Sequence, residues 1–116
     1  VYEVAARFNE LATQEQWFKI QEELFSENVK SIEPANSPYF KNREGKMTVR
    51  RKGEDWVKSI EAVHRSHTSE PIVAGNHFAV AREVDITVQK LGRIQVNEIM
   101  LYQVDNGKII SEQFFY

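Results

Sequence analysis

A chain of 116 residues is long enough to bury one hydrophobic core and too short for two, so one domain spanning residues 1–116 is the expectation. Hydrophobic residues at 41% and charged residues at 28% form an ordinary globular balance, which argues against disorder and against a membrane span. A net charge of −2 gives no bias toward nucleic acid, and the lack of cysteine excludes disulfides, thiolate metal sites and cysteine nucleophiles.

Nothing at Val1 has the pattern of a signal peptide, so cytoplasmic is the plain reading; the missing initial methionine leaves a removed leader open. From Val1 to Ala12, the residues Val1, Val4, Ala5, Phe8, Leu11 and Ala12 share one helical stripe. Thr13 and Gln16 have capping-box spacing, and Trp17, Ile20 and Leu24 then recur at helical intervals to about Phe25. Asn28 to Glu33 reads as a strand closed by Pro34, which pushes Glu33 toward extended geometry. Pro34 to Gly53 shows no sustained periodicity and is expected to be mostly loop. Lys52 to Arg65 restores a helical pattern through Trp56, Val57, Ile60 and Val63.

The remaining residues alternate like strands. Pro71–Ala74, His77–Gln89, Arg93–Asp105 and Lys108–Tyr116 are separated by turn signals at Gly75-Asn76, Gly92 and Asn106-Gly107. A two-residue turn at Asn106-Gly107 sets Leu101 opposite Glu112 and Ile99 opposite Phe114. That register sends Glu98 and Glu112 to opposite faces, where they cannot form a catalytic pair unless a bulge turns one of them over. Both faces are largely apolar, so helices are expected on one, and a second copy joined through the sheet, or extra loops, on the other.

The strand ending in Ser31-Ile32-Glu33-Pro34, the three helices and the closing hairpin from Tyr102 to Tyr116, with its Asp105-Asn106-Gly107-Lys108-Ile109 turn, resemble the nuclear transport factor 2-like superfamily, in particular its SnoaL-like members. The resemblance covers nearly the whole chain. It implies an α+β, cone-shaped half-barrel in which the helices pack on a strongly bent, mainly antiparallel sheet, with a pocket at the open end and frequent homodimers. Steroid isomerases of the superfamily carry a catalytic aspartate just before a proline at the end of the first strand. Ser26 to Pro34 is similar to that stretch, and the matching position is Glu33. The isomerases' oxyanion-hole positions are matched by Phe8 and by Met100 or Leu101, none of which can donate a hydrogen bond, which argues against steroid isomerase activity itself.

Glu33 is therefore the candidate general base, against a structural carboxylate paired with a loop arginine. Glu112, set among Ile99, Leu101, Ile110 and Phe114, is a second acid/base or ligand-binding group, against a buried pair with an arginine such as Arg82. Phe8, Trp17, Tyr39, Trp56, Ile99, Leu101 and Phe114 are the candidate pocket lining, although Trp17 and Trp56 lie on apolar stripes typical of core. Tyr39 and Phe40, in the long loop, are placed to lid a pocket. His64, His67 and His77 lack metal-site spacing. The basic run Lys41, Arg43, Lys46, Arg50, Arg51 and Lys52 reads as a solvated loop able to steer an anion, with no nucleic-acid-binding module beside it.

Two readings follow. The first is an enzyme needing no cofactor or metal, in which Glu33, with Glu112, moves a proton on a small hydrophobic carbonyl compound, as the superfamily's isomerases and polyketide cyclases do. The second is a ligand-binding or dimeric interaction module without turnover.

Overall fold

The computed structural model describes residues 1–116. Helices α1 (Tyr2–Thr13) and α2 (Trp17–Leu24) come first, followed by β1 (Phe25–Ile32), a two-residue β2 (Arg43–Glu44) and α3 (Lys46–Ser59). Strands β3 (Ile60–Thr68), β4 (Ile72–Ala74), β5 (His77–Val88), β6 (Gly92–Asp105) and β7 (Lys108–Phe115) complete the chain. The sheet order is β2-β1-β7-β6-β5-β3, with β4 beside β5. Only β1 and β7 run parallel. The result is an α+β fold with three helices on a curled, unclosed sheet.

The stripe on α1 is the reason it docks: Val4, Ala5, Phe8, Leu11 and Ala12 are all buried. Phe8 is wholly enclosed, its ring 4.7 Å from Tyr102, 5.2 Å from Phe78 and 5.9 Å from Trp17. The expected Thr13–Gln16 capping box does not form. Thr13 Oγ1 donates back to the Glu10 carbonyl instead, and Gln16 caps α2 without a side-chain hydrogen bond. Glu15, at φ 56, makes the left-handed reversal between the two helices.

The third helix differs most from expectation. It begins at Lys46, inside the stretch read as loop, and ends at Ser59, after which Ile60–Thr68 is strand. Only Val49 of α3 is buried; Gly53, Trp56 and Val57 follow it at helical spacing along the cavity side, while the basic first turns hide where the helix starts. Gly45, at φ 95, supplies its N-cap. In β3, two register shifts within nine residues, between Ile60 and Ala62 and between Val63 and Arg65, break the two-residue alternation. The surviving spacing of Trp56, Ile60 and Val63 mimics a helix. His64 and His67 consequently lie on a strand, not at a helix end.

Asn106 and Gly107 both have positive φ, 50° and 73°, as a type I′ turn requires, and Asp105 pairs with Lys108. The expected pairing then fails at the second step. Val104 pairs with Ile109 but Gln103 pairs with Ser111, leaving Ile110 as a bulge residue. Beyond it Tyr102 faces Glu112 and Met100 faces Phe114. Glu112 and Phe114 therefore share the inner face with Glu98, Met100 and Tyr102, whereas Ile99 and Leu101 belong to the outer one.

Candidate functional site

Helices and curled sheet enclose a cavity of about 610 Å³ whose wall is mostly hydrophobic. Trp17, Tyr39, Trp56 and Phe114 line it, together with Glu33 and Glu112. Three expected wall residues do not. Phe8 is packed beneath the wall, against Trp17 and Tyr102, because its helix stripe points into the core. Ile99 and Leu101 lie on the outer face of β6, and the Ile110 bulge in β7 moves Glu112 and Phe114 to the inner face, away from them; Ile99 is 46% exposed.

The polar side of the cavity is one connected network. Glu33 follows β1, held extended ahead of Pro34 and tied by its backbone N–H to Asn42 Oδ1 at 2.7 Å. Its carboxylate is buried and accepts from both sides: Lys52 Nζ at 2.8 Å on Oε2, and the Tyr116 hydroxyl at 2.6 Å on Oε1. Lys52 Nζ also donates to Ser31 Oγ at 2.7 Å, and Ser31 Oγ donates to Glu112 Oε1 at 2.8 Å. Ser31 thus bridges the two candidate carboxyls through Lys52. The expected arginine partners are absent: Glu33 pairs with lysine, and Arg82 pairs with Glu15 at 3.6 Å.

Burial pushes the Glu112 carboxyl up to about 7, against the pull of Lys52 and the Ser31 hydrogen bond. Glu98, on β6, is likewise pushed up to about 7 by burial, with Arg82 opposing and Glu33 and Glu112 reinforcing. Burial, followed by the hydrogen bond to Glu33, raises the Tyr116 phenol. Near neutrality the cavity therefore holds an ion-paired carboxylate beside two carboxyls poised between acid and base. Tyr102 adds a buried hydroxyl whose partner is the Met100 sulfur, a weak acceptor at 3.7 Å.

The mouth is aromatic. Phe40 packs edge-on against Trp56 at 5.0 Å, and Tyr39 lies 6.0 Å from Trp56 and 5.9 Å from Tyr116. Ser37 joins the loop to Tyr116 through a 2.6 Å hydrogen bond between hydroxyls. Lys52 Nζ is 5.3 Å from the ring centres of both Phe40 and Phe114.

Glu98, Lys52, Tyr116 and Ser31 were not singled out from the sequence as site residues. Glu98 had a signal, since its alternation with Met100 and Tyr102 marks the inner face. Lys52 had none, because a helix start hidden in a basic run gives no facing direction.

The raised carboxyls carry a stability consequence. Between about pH 5 and 7 the folded chain keeps protons on Glu98 and Glu112 that the unfolded chain has released, so stability falls as pH rises through that window and levels off above it. The expected slope is up to roughly 1.4 kcal/mol per pH unit for each group. Urea unfolding at both ends of the window measures it, and Glu112→Gln should flatten the curve. A wild type equally stable at both ends would contradict the burial-driven shift.

Comparison with known proteins places the chain among relatives. A family model described as a SnoaL-like domain matches residues 1–116. A Mesorhizobium loti crystal structure, described as a candidate SnoaL-like polyketide cyclase with carbohydrate phosphatase in brackets, is 33% identical with a TM-score of 0.92, covering 99% of this chain and 97% of that one. An NTF2-like protein from Burkholderia thailandensis superimposes with a TM-score of 0.80 at 14% identity, over 98% of this chain and 88% of that one. A Catenulispora acidiphila protein with a ketosteroid isomerase-like fold, in complex with trimethylamine, gives 0.68 at 17% identity over 85% and 73% of the two chains. No functionally curated protein matches.

Proposed function

Because this chain belongs to the SnoaL-like family, we propose that its cavity is a cofactor-independent proton-transfer site, an isomerase or cyclase acting on a small hydrophobic carbonyl compound. The observation that carries the reading is a buried carboxylate, Glu33, in the same apolar cavity as two carboxyls pushed up to about 7. In this reading Glu33 takes the carbon-bound proton, and the protonated form of Glu98 or Glu112 donates to the carbonyl oxygen as it gains charge. A carboxylic acid on β6 or β7 would then do the work of the oxyanion donors that Phe8 and Met100 lack.

Incorporation of solvent deuterium into a panel of enolisable ketones tests this. Wild type should exchange the α-proton above the buffer rate, and Glu33→Gln should not. Absence of exchange across the panel would sink the proposal.

One observation favours a second reading, a binding module without turnover: both oxygens of Glu33 are already hydrogen-bonded, leaving the base satisfied at rest. A ligand that binds without exchanging protons would decide for it.

Assembly belongs to the same proposal. On the outer face Ile72, Ala79 and Leu101 form one row and Ala81, Ile99 and Phe115 the next. Ile72 is 75% exposed and Phe115 47%. A second copy stacked sheet to sheet would cover this patch. Light scattering should give twice the 13.5 kDa chain mass, and Ile99→Glu should return the mass of one chain. A monomeric wild type at high concentration would refute it.

A further inference from the structure

A second polar cluster stands on the cavity wall where the α1–α2 linker meets β3 and β5. Glu15 accepts the Trp17 indole N–H at 2.6 Å and the Ser66 hydroxyl. These hydrogen bonds and the charge of Arg82 outweigh burial and hold its carboxyl below the ordinary range. The Arg82 guanidinium lies over the Trp17 ring, 4.4 Å from its centre, and gives Nη1 to Thr68 Oγ1 at 2.9 Å. Its Nη2 stops 3.6 Å from Glu15, short of a hydrogen bond. Here a planar cation is oriented by stacking, by one hydrogen bond and by the charge of Glu15, while its Nε–H has no acceptor in the protein.

Glu98 is the cross-strand partner of Arg82 on β6, and both side chains line the cavity. Opposite charges set side by side on a sheet ordinarily pair. These two do not, and Glu98 makes no hydrogen bond or ion pair with any side chain. The wall therefore carries a guanidinium fork and a neighbouring carboxyl, both with unused hydrogen-bonding capacity and both facing the same apolar space.

We propose that Arg82 and Glu98 form a subsite for the carboxylate of an otherwise apolar ligand, so that the compound held in the cavity is a small hydrophobic acid. The Arg82 fork binds the carboxylate oxygens, and Glu98 in its acid form donates to one of them. The apolar body lies along Val84, Ile86, Val96 and Met100, which line the same wall. This deepens the proton-transfer reading and rests on it for the carbonyl: the substrate becomes a hydrophobic oxo acid whose carboxylate is held away from the carbon facing Glu33.

The charged groups acting on Glu98 are Arg82, Glu33, Glu112 and Lys52. Tyr116 follows β7 next to the Ile99–Phe115 pair, and Glu15 faces Arg82 from the α1–α2 linker. Ionised Glu98 repels a bound carboxylate and competes for Arg82, so acid binding weakens as pH rises past Glu98's titration, up near 7.

The test is calorimetric titration of 2-naphthylacetate against 2-naphthylacetamide, which share a skeleton and differ in charge. At about pH 6, wild type should bind the acid roughly tenfold or more tightly than the amide, as a charge-assisted pair implies. Arg82→Gln should abolish that preference while leaving amide affinity within about twofold, and Arg82→Lys should keep part of it. Glu98→Gln should hold the preference at about pH 8, where wild type weakens. An amide bound as tightly as the acid by wild type, no binding of the acid, or an equal loss of both ligands in Arg82→Gln would overturn the proposal. The wild-type comparison stands even if Arg82→Gln fails to fold. Because the readout is binding alone, its failure is separable from failure of the deuterium exchange.

Discussion

Glu33→Gln is expected to lower the rate of α-proton exchange by roughly two to four orders of magnitude, the range a positioned general base contributes. Glutamine preserves the volume and one oxygen for the Tyr116 hydroxyl or Lys52, so the folded geometry and ligand affinity should change little even though the Lys52 ammonium loses its counter-charge and stability falls. The loss should thus appear in kcat with KM nearly constant. Circular dichroism controls for folding. A pH profile adds an independent check, because Glu98 and Glu112 act as acids only while protonated and the wild-type rate should decline as pH rises past about 7. An exchange rate unchanged in Glu33→Gln would remove Glu33 from the chemistry, whatever the cavity binds.

Lys52→Met should cost about 3–5 kcal/mol of stability, the usual consequence of removing one partner of a buried ion pair. The Lys52 and Glu33 side chains are 11% and 3% exposed, so water cannot readily replace the ammonium. Methionine fills the space beside Phe40 and Phe114 but leaves the Glu33 carboxylate facing only Tyr116, and it removes the donor that reaches Ser31. Most of the cost is the stranded charge, so Lys52→Met with Glu33→Gln should recover a large part of it, a coupling that a double-mutant cycle measures by chemical denaturation. A single mutant within about 1 kcal/mol of wild type would mean that Glu33 does not need its cation.

Glu33 was named through the resemblance of Ser26–Pro34 to the strand end of the steroid isomerases; its extended backbone is set by Pro34, and its side chain lines the cavity. Glu112 was named as well, but its partners and its face were misassigned. The reason is a single unpaired residue, Ile110, which inverts the side of every later position in β7. A bulge leaves no mark in composition, since Ile109-Ile110 suits a regular strand equally well. The same physics hid β3, whose two register shifts gave its apolar residues a helical rhythm. Helix α3 was read six residues late: its basic first turns looked like loop, and only from Lys52 did Trp56 and Val57 show a helical rhythm.

By itself the sequence determined the α+β class, the two opening helices, the Asn106-Gly107 reversal and the carboxylate at position 33. Each of these is fixed by interactions within a few residues: stripe spacing, turn dihedrals and the restriction that proline imposes. Only the tertiary structure decided that Glu98, Glu112 and Lys52 face the cavity that holds Glu33, and that Arg82 pairs with Glu15 and not with its cross-strand neighbour Glu98. Those juxtapositions join residues from β1, α3, β5, β6 and β7, and they depend on strand register and sheet curl, to which neighbouring residues along the chain are blind.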